Sequence, residues 1–228
     1  MYEAFILAAG FGTRLRPLTN ELPKPLVPVC GVPMLAYALA QCAHFGIEKV
    51  VVNAHWKAEA LAGWAGLREG CHVSISEELP EILGTGGGLH RVQAQLAERF
   101  VVLNGDVLND VDLDALRGAI PAGGGVLALR AHGQDAARYG VVAVDETGTL
   151  VHLRDIAAAK PQGVVVRDTH FTGIHAMERG MLELVEPGFS CIIRSAYKEL
   201  VPERRIAGLR HTGVWLDIGD PTMYLEAN

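Results

Sequence analysis

The segment Leu7-Ala8-Ala9-Gly10-Phe11-Gly12-Thr13-Arg14-Leu15-Arg16-Pro17-Leu18-Thr19, continued by Leu22-Pro23-Lys24-Pro25-Leu26-Val27-Pro28, decides how this chain is read. It leaves an apolar run at residues 4–9 that predicts a buried strand. A glycine-bearing loop at the carboxyl end of a strand lets backbone N–H groups approach phosphate oxygens closely. In open α/β sheets, ligands bind outside those strand ends. Arg14 offers a planar fork of donors to phosphate. Lys24 offers a compact cation, and Pro23 and Pro25 restrict the backbone on either side of it. The segment is not a Walker loop, because no glycine in it is followed by lysine. Nor is it a dinucleotide fingerprint, since Gly10-Phe11-Gly12 runs into Thr13-Arg14-Leu15 without a third glycine.

Working outward, strands and helices alternate. Periodicity predicts a helix over 34–44 stopped by Gly46, a strand over 50–54 and a helix over 58–64. A strand over 72–76, a helix over 89–98 and a strand over 100–104 follow, the last ending in Gly105-Asp106. Strands separated by helical stretches of this length make βαβ units and a parallel sheet, and runs such as Val50-Val51-Val52 fit a sheet covered on both faces. The second half predicts shorter strands over 140–144, 150–154, 164–167 and 170–175. Helical stretches over 179–185 and 192–200 follow, then a strand over 214–218. Pro221 opens a last helix behind Asp220 as its N-cap. The expected fold is α/β, a Rossmann-like mixed, mostly parallel sheet flanked by helices.

Composition narrows the function classes. The 228 residues are 50% hydrophobic and 20% charged, enough for one large domain. Such a domain buries roughly 70–75% of its unfolded surface and needs no staples. Twenty Lys and Arg against 26 Asp and Glu, a net charge of −6, oppose a nucleic-acid partner while leaving room for a local basic pocket. Cys30, Cys42, Cys71 and Cys191 contain no C-x-x-C pair and read as free thiols. No leader-like apolar run with a basic start and no spanning stretch of ~20 apolar residues is present, so a cytoplasmic protein without a membrane partner is expected.

The glycine-loop segment resembles the signature of the sugar-1-phosphate nucleotidyltransferases. The resemblance continues in order through Gly84-Thr85-Gly86-Gly87, Asn104-Gly105-Asp106, Thr172-Gly173-Ile174 and Trp215-Leu216-Asp217-Ile218-Gly219-Asp220-Pro221, nearly the whole chain. The compact length, the Thr-Gly-Gly-Gly form and the Trp-Leu-Asp-Ile-Gly-Asp ending are most similar to short members acting on N-acetylmuramate 1-phosphate or mannose 1-phosphate. What the resemblance implies is transfer of a nucleoside monophosphate from an NTP to a sugar 1-phosphate, giving an NDP-sugar and pyrophosphate. Leu7, Ala8, Ala9, Gly10, Gly12 and Thr13 would hold the nucleotide, and Gly84, Thr85 and Gly86 its base. Arg14 and Lys24 would be catalytic, with Asp106 and Asp217 as Mg2+ ligands. Gly140, Thr172 and Gly173 would face the sugar. The family's Glu-Lys-Pro is represented by Ala158-Ala159-Lys160-Pro161, so Lys160 would keep the sugar-phosphate role although the Glu is missing. Residues 1–228 would form one domain, with 1–118 mainly binding nucleotide and 119–228 mainly sugar.

Elementary chemistry supports this assignment. Magnesium takes one or two carboxylates plus phosphate oxygens and water, so two acids distant in sequence suffice. A parallel sheet is expected to bring Asp106 and Asp217 to one edge beneath the glycine loop. A sugar phosphate is mostly dianionic at neutral pH and needs no general base. By contrast, Asp110, Asp112 and Asp114 read as solvated, helix-starting charges. Asn53 and His55 either line the pocket or cap a turn. The histidines form no H-x-x-x-H pair, and Ser190 and Ser195 sit in no nucleophile elbow.

The base and sugar stay open, with a lean to UTP; GTP-dependent mannose- or heptose-1-phosphate guanylyl transfer is the alternative. A nicotinamide enzyme would want an acidic ribose ligand where Val52-Asn53-Ala54-His55 stands, and a phosphocholine cytidylyltransferase would want an aromatic–acidic choline pocket. A non-catalytic nucleotide-binding regulator is opposed by Arg14, Lys24, Asp106 and Asp217 occurring together.

Overall fold

The computed structural model describes residues 1–132, 136–158 and 160–228. The body of its sheet is built from β1 (Tyr2–Leu7), β2 (Lys49–Ala54), β3 (Cys71–Glu77), β4 (Leu96–Asn104), β5 (Gly125–Ala131), β6 (Val166–Glu178) and β7 (Ile206–Arg210). The order β3-β2-β1-β4 is parallel throughout. Beyond β4 the long β6 runs antiparallel, and β5 pairs with β6, with β7 parallel to β5. Short antiparallel strands extend both ends, giving 11 strands among the described residues.

Alternation along the strands explains the layering. Ala4 and Ile6 of β1, Val50 and Val52 of β2, and Val101 and Leu103 of β4 point into one core. Phe5, Val51, Phe100 and Val102 point into the other. The first core is closed by α1 (Met34–His44) through Leu35, Leu39 and Cys42, and by α3 (Leu113–Gly118) through Leu113 and Leu116. The second is closed by Leu89 of α2 (Gly84–Arg91) and by Leu182, Tyr197 and Leu200 of the helical segment near 179–200. Each fully buried side chain of this kind contributes about 1.5–3 kcal/mol. No described helix is long and apolar enough to cross a membrane.

Local signals gave correct boundaries where the cause was local. The expected helix over 34–44 is α1, and Gly46 follows it at φ +68°, a left-handed stop. Asp112 and Asp220 cap α3 and α4 (Pro221–Ala227) by accepting from Ala115 N at 2.8 Å and Met223 N at 3.1 Å.

Elsewhere tertiary pairing overrode the pattern. The helix expected over 89–98 is instead α2, which starts inside the glycine run; a 3-10 turn at Gln93–Gln95 follows, and Leu96 already pairs with Tyr2 of β1. Glycine costs a helix about 1 kcal/mol per residue. Here close packing requires it, because a Cβ on Gly87 would lie 1.9 Å from the Gly188 carbonyl. The two strands expected over 164–167 and 170–175 are one strand, β6, whose pairing with β5 is broken between Phe171 and His175. β5 and β7 escaped the sequence reading, although three glycines at 123–125 announce β5. Asp217 does not end a strand of the parallel sheet. It lies on Trp215–Asp217, which pairs antiparallel with Val107–Asn109 in a separate two-stranded ribbon.

Candidate active site

Parallel β1 and β4 finish side by side: Leu7 is the register partner of Asn104, and Gly105 N donates to Leu7 O at 2.9 Å. β1 is flanked by β2 on one edge and β4 on the other, so the chain leaves it toward one side and returns on the opposite one. This is the switch point where such sheets open a crevice. Leu7, Ala8, Ala9 and Gly10 line a cavity of about 250 Å3 there, together with Asn53, Ile82, Gly84, Thr85, Lys24 and Asp106. A second cavity of about 430 Å3 shares Leu7, Thr85, Asn104 and Asp106, and adds Arg14, Arg138, Gly140, Arg154, Thr172, Gly173 and Asp217.

The glycine loop is braced from within. Gly12 sits at φ +62°, where a Cβ would fall 2.8 Å from Thr19 Cγ2, and the Thr19 hydroxyl donates to Gly12 O at 2.8 Å. Nothing of the protein stands within 4 Å of a Cβ built on Gly10, so space there is open to a ligand. Arg14, on the 3-10 turn Thr13–Leu15, is exposed and makes no hydrogen bond or ion pair with another described residue. Its five donors remain available.

Lys24 differs in kind. It heads the 3-10 turn Lys24–Leu26 behind an extended Pro23, is only 8% exposed, and its Nζ is paired with Asp106 Oδ2. Asp106 and Asp217 come together because Ile218 N donates to Asp106 O at 3.0 Å across the small ribbon, in which Asp217 faces Val107. The Asp217 carboxyl is held above the usual carboxylate range, first by burial and then by the negative charge of Asp106. Lys24, a hydrogen bond from Tyr139 and Arg138 act in the opposite direction. Two mutually repelling, partly buried carboxylates form a hard oxygen donor set that fits a divalent cation completed by phosphate and water. Among the described residues no group of three or more His, Cys, Asp or Glu gathers for a metal.

Several residues singled out in the sequence lie elsewhere. Gly12 and Thr13 line neither cavity but shape the loop. Ala8 lines the smaller one, yet its N–H is taken by Asn53 Oδ1 at 2.6 Å. Gly84 and Thr85 face ligand space, whereas the Gly86 N–H donates to Ser190 O at 2.8 Å and a Cβ there would meet Ser190 Oγ at 2.9 Å. Thr172 and Gly173 reach the second cavity through the interruption in β6; the Thr172 hydroxyl is spent on Ala128 O at 2.8 Å.

Lys160 stands apart from both cavities. It is exposed and belongs to neither cavity wall; its carbonyl accepts from Arg204 at 3.0 Å, while nearby Gln162 N is tied to the buried Asp145 at 2.8 Å. Ala159 of the same stretch lies outside the described residues. The cations that do line the second cavity, Arg138 and Arg154, were missed by the sequence reading. Their signals were adjacency to Tyr139-Gly140 and the end of the strand expected over 150–154. Arg138 donates to Asp220 at 2.8 Å and lies 3.9 Å from Asp217, whereas Arg154, at φ +57°, has no hydrogen-bond or ion-pair partner among the described residues. His175 also lines this cavity. Burial pushes its imidazole down to about 3, so it is neutral.

Residues 3–228 match the model of the nucleotidyl transferase family. The chain is 29% identical over 235 residues to N-acetylmuramate alpha-1-phosphate uridylyltransferase of Neisseria meningitidis serogroup B, covering 99% of this chain and 96% of that protein. It is 30% identical to probable mannose-1-phosphate guanylyltransferase 2 of Arabidopsis thaliana, covering 98% of this chain but spanning only 63% of the plant protein. Among solved structures, HddC from Yersinia pseudotuberculosis complexed with GMP-PN matches with a TM-score of 0.77 at 21% identity, covering 100% of this chain and 98% of that one. A putative glucose-1-phosphate thymidylyltransferase from Bacillus anthracis gives 0.82 at 19% identity, over 100% and 94%. These two likenesses establish the fold: a mixed, mostly parallel sheet flanked by helices.

Proposed function

This chain belongs to the nucleotidyl transferase family, and from that premise we propose that it joins a nucleoside triphosphate to a sugar 1-phosphate, giving an NDP-sugar and pyrophosphate. The observation that carries this reading is the convergence of the glycine loop, Lys24, Asp106 and Asp217 on two cavities that share Leu7, Thr85, Asn104 and Asp106 in their walls. The smaller takes the base and ribose against Ala9, Gly10, Gly84 and Thr85; the larger takes the sugar phosphate. The division into halves at residue 118 is accordingly approximate, since Asp217 and Arg138 serve the same centre as the first half.

A phosphate oxygen of the sugar phosphate attacks the α-phosphorus of the triphosphate, and the bond to pyrophosphate breaks on the opposite side. The nucleophile is already ionised, so the work of these residues is positioning and charge stabilisation. Arg14, without a hydrogen-bond or ion-pair partner among the described residues, clamps the departing pyrophosphate, and Lys24 neutralises the reacting phosphates from its fixed place beside Asp106. Arg138 and Arg154 take over the sugar-phosphate contact that Lys160 does not reach. The family is generally metal-dependent. Asp106 and Asp217 would hold magnesium, which when bound supplies charge neutralisation between these carboxylates and the phosphate oxygens.

UTP is favoured because the uridylyltransferase relative is matched over almost its full length. The alternative, GTP with a mannose or heptose 1-phosphate, draws on the guanylyltransferase relative. A matrix of four NTPs against several sugar 1-phosphates, scored by pyrophosphate release with and without magnesium, tests both. Release with UTP supports the first reading and release with GTP the second. No release with any pair, despite nucleotide binding, would leave a regulator.

A further inference from the structure

Glu78 is fully buried, and no group discussed so far as binding substrate requires it. Its side chain nevertheless sits between the two walls of the smaller cavity. Oε1 accepts from Asn53 Nδ2 at 2.8 Å, and Oε2 accepts from the backbone N–H of Leu83, the residue before α2, at 2.7 Å. Asn53, 2% exposed at the end of β2, uses its own oxygen to accept from Ala8 N at 2.6 Å. A continuous chain therefore runs from Ala8 on the glycine-loop wall, through Asn53 and Glu78, to Leu83 on the Gly84-Thr85 wall. His55 Nδ1 meets the Glu78 carbonyl at 2.7 Å and adds a strut from the same strand end.

The polarity of this chain is directional. Ala8 and Leu83 both present N–H donors, so the two linking side chains must between them offer an acceptor at each end and one donor in the middle. An amide at 53 and a carboxyl group at 78, both of whose oxygens accept, satisfy that requirement without an orphan. The same carboxyl group dictates a glycine, because a Cβ on Gly88 would lie 2.6 Å from Glu78 Oε1. Part of the glycine run is thus fixed by Glu78, independently of any ligand.

We propose that Glu78 is a positioning residue for the nucleotide: with Asn53 it fixes the separation between the Ala8–Gly10 and Gly84-Thr85 walls, and so sets the width of the slot for the base. The inference rests on the reading that this cavity takes the nucleotide. Glu78 acts through the two walls it ties, and among the described residues neither its side chain nor that of Asn53 bonds a residue of the sugar-phosphate half. Its loss is therefore felt by the nucleotide and not by the sugar phosphate.

The test exploits the directionality. Glu78→Gln always leaves one donor facing another, because flipping Asn53 to suit the new amide turns its NH2 toward Ala8 N–H. Asn53→Asp sets two carboxyl oxygens against each other. In the double variant the carboxylate moves to position 53 and accepts from Ala8 N–H and from the amide at 78, whose oxygen accepts from Leu83 N–H. Every bond is restored. Binding of UTP and of GTP by calorimetry, with KM for each substrate, is measured for wild type and the three variants, with thermal melts as the folding control. A loss of nucleotide affinity of about tenfold or more is expected in each single variant, as for an unsatisfied buried polar group. The KM for sugar 1-phosphate should stay within about twofold, and the double variant should recover to within about threefold of wild type.

Single variants that bind nucleotide as wild type does would overturn the proposal while leaving the functional reading intact. So would a double variant that melts like wild type without recovering affinity. A wild type that binds neither UTP nor GTP would overturn the functional reading and the proposal with it. Where a single variant fails to fold, a double variant that folds and binds like wild type supports the proposal, and one that does not overturns it.

Discussion

Replacing Lys24 with methionine keeps the aliphatic stem that packs in the Pro23–Leu26 turn and removes only the charge. Lys24 is 8% exposed and its ammonium is paired with Asp106, so the charge is already held at the wall of the cavity proposed for the nucleotide. Each charge-assisted contact to a reacting phosphate is worth about 1.5–3 kcal/mol, which converts to a loss of about 10- to 150-fold in rate. A second effect adds to the first. Lys24 opposes the burial and the Asp106 charge that raise the proton affinity of Asp217, so its removal pushes that carboxyl further up and leaves two acids unbalanced. The fold should suffer little. The Asp106 side chain is 28% exposed and can recover water, limiting the cost to about 1–2 kcal/mol, or a fall in Tm of about 2–8 °C for a chain of this length. Pyrophosphate release at saturating substrates, with a thermal melt alongside, measures both. Turnover within about threefold of wild type in a folded Lys24→Met variant would refute the role given to this lysine.

Arg14→Ala should lower kcat/KM by about tenfold or more while changing stability by less than about 0.5 kcal/mol, because the side chain is exposed and has no described protein partner; denaturant melts and initial rates separate the two. Asp106→Asn and Asp217→Asn should each raise the magnesium concentration for half-maximal activity, and the double change should cost less than the sum of the singles if both hold one ion. Lys160→Ala should leave the KM for sugar 1-phosphate within about twofold, whereas Arg154→Ala should raise it about tenfold; the reverse result would restore the lysine to the site. Asp145→Asn should destabilise the fold by about 2–4 kcal/mol. Burial alone would raise the Asp145 carboxyl, but hydrogen bonds from Thr147, Gln162 and Arg204 prevail and hold it well below the usual range. A depressed folded value gives stability that is present above the unfolded value of about 4 and is lost as the pH falls from there through the lower folded value, so the urea midpoints of wild type and variant should begin to draw together below about pH 4.

The residues that announce the chemistry were legible in the chain itself. A buried strand followed by Gly10, Gly12, Arg14 and Lys24 carries its meaning in adjacent positions, and so do the bounds of α1 and the caps Asp112 and Asp220, where each contact is made within a few residues. What the sequence left undecided depends on pairings between distant segments. Asp217 reaches Asp106 through an antiparallel ribbon and not through the parallel sheet. Lys160 lies off both cavity walls, in a segment tied to the Asp145–Arg204 node, while Arg138 and Arg154 line the larger cavity. Glu78 carries no signal in its sequence neighbourhood, and its burial is set by the strand and helix ends packed around it. Charge and hydrogen-bonding type belong to a residue and can be read from its letter. Burial, partner and distance arise only when strands from both halves set their register, so they belong to the tertiary structure alone.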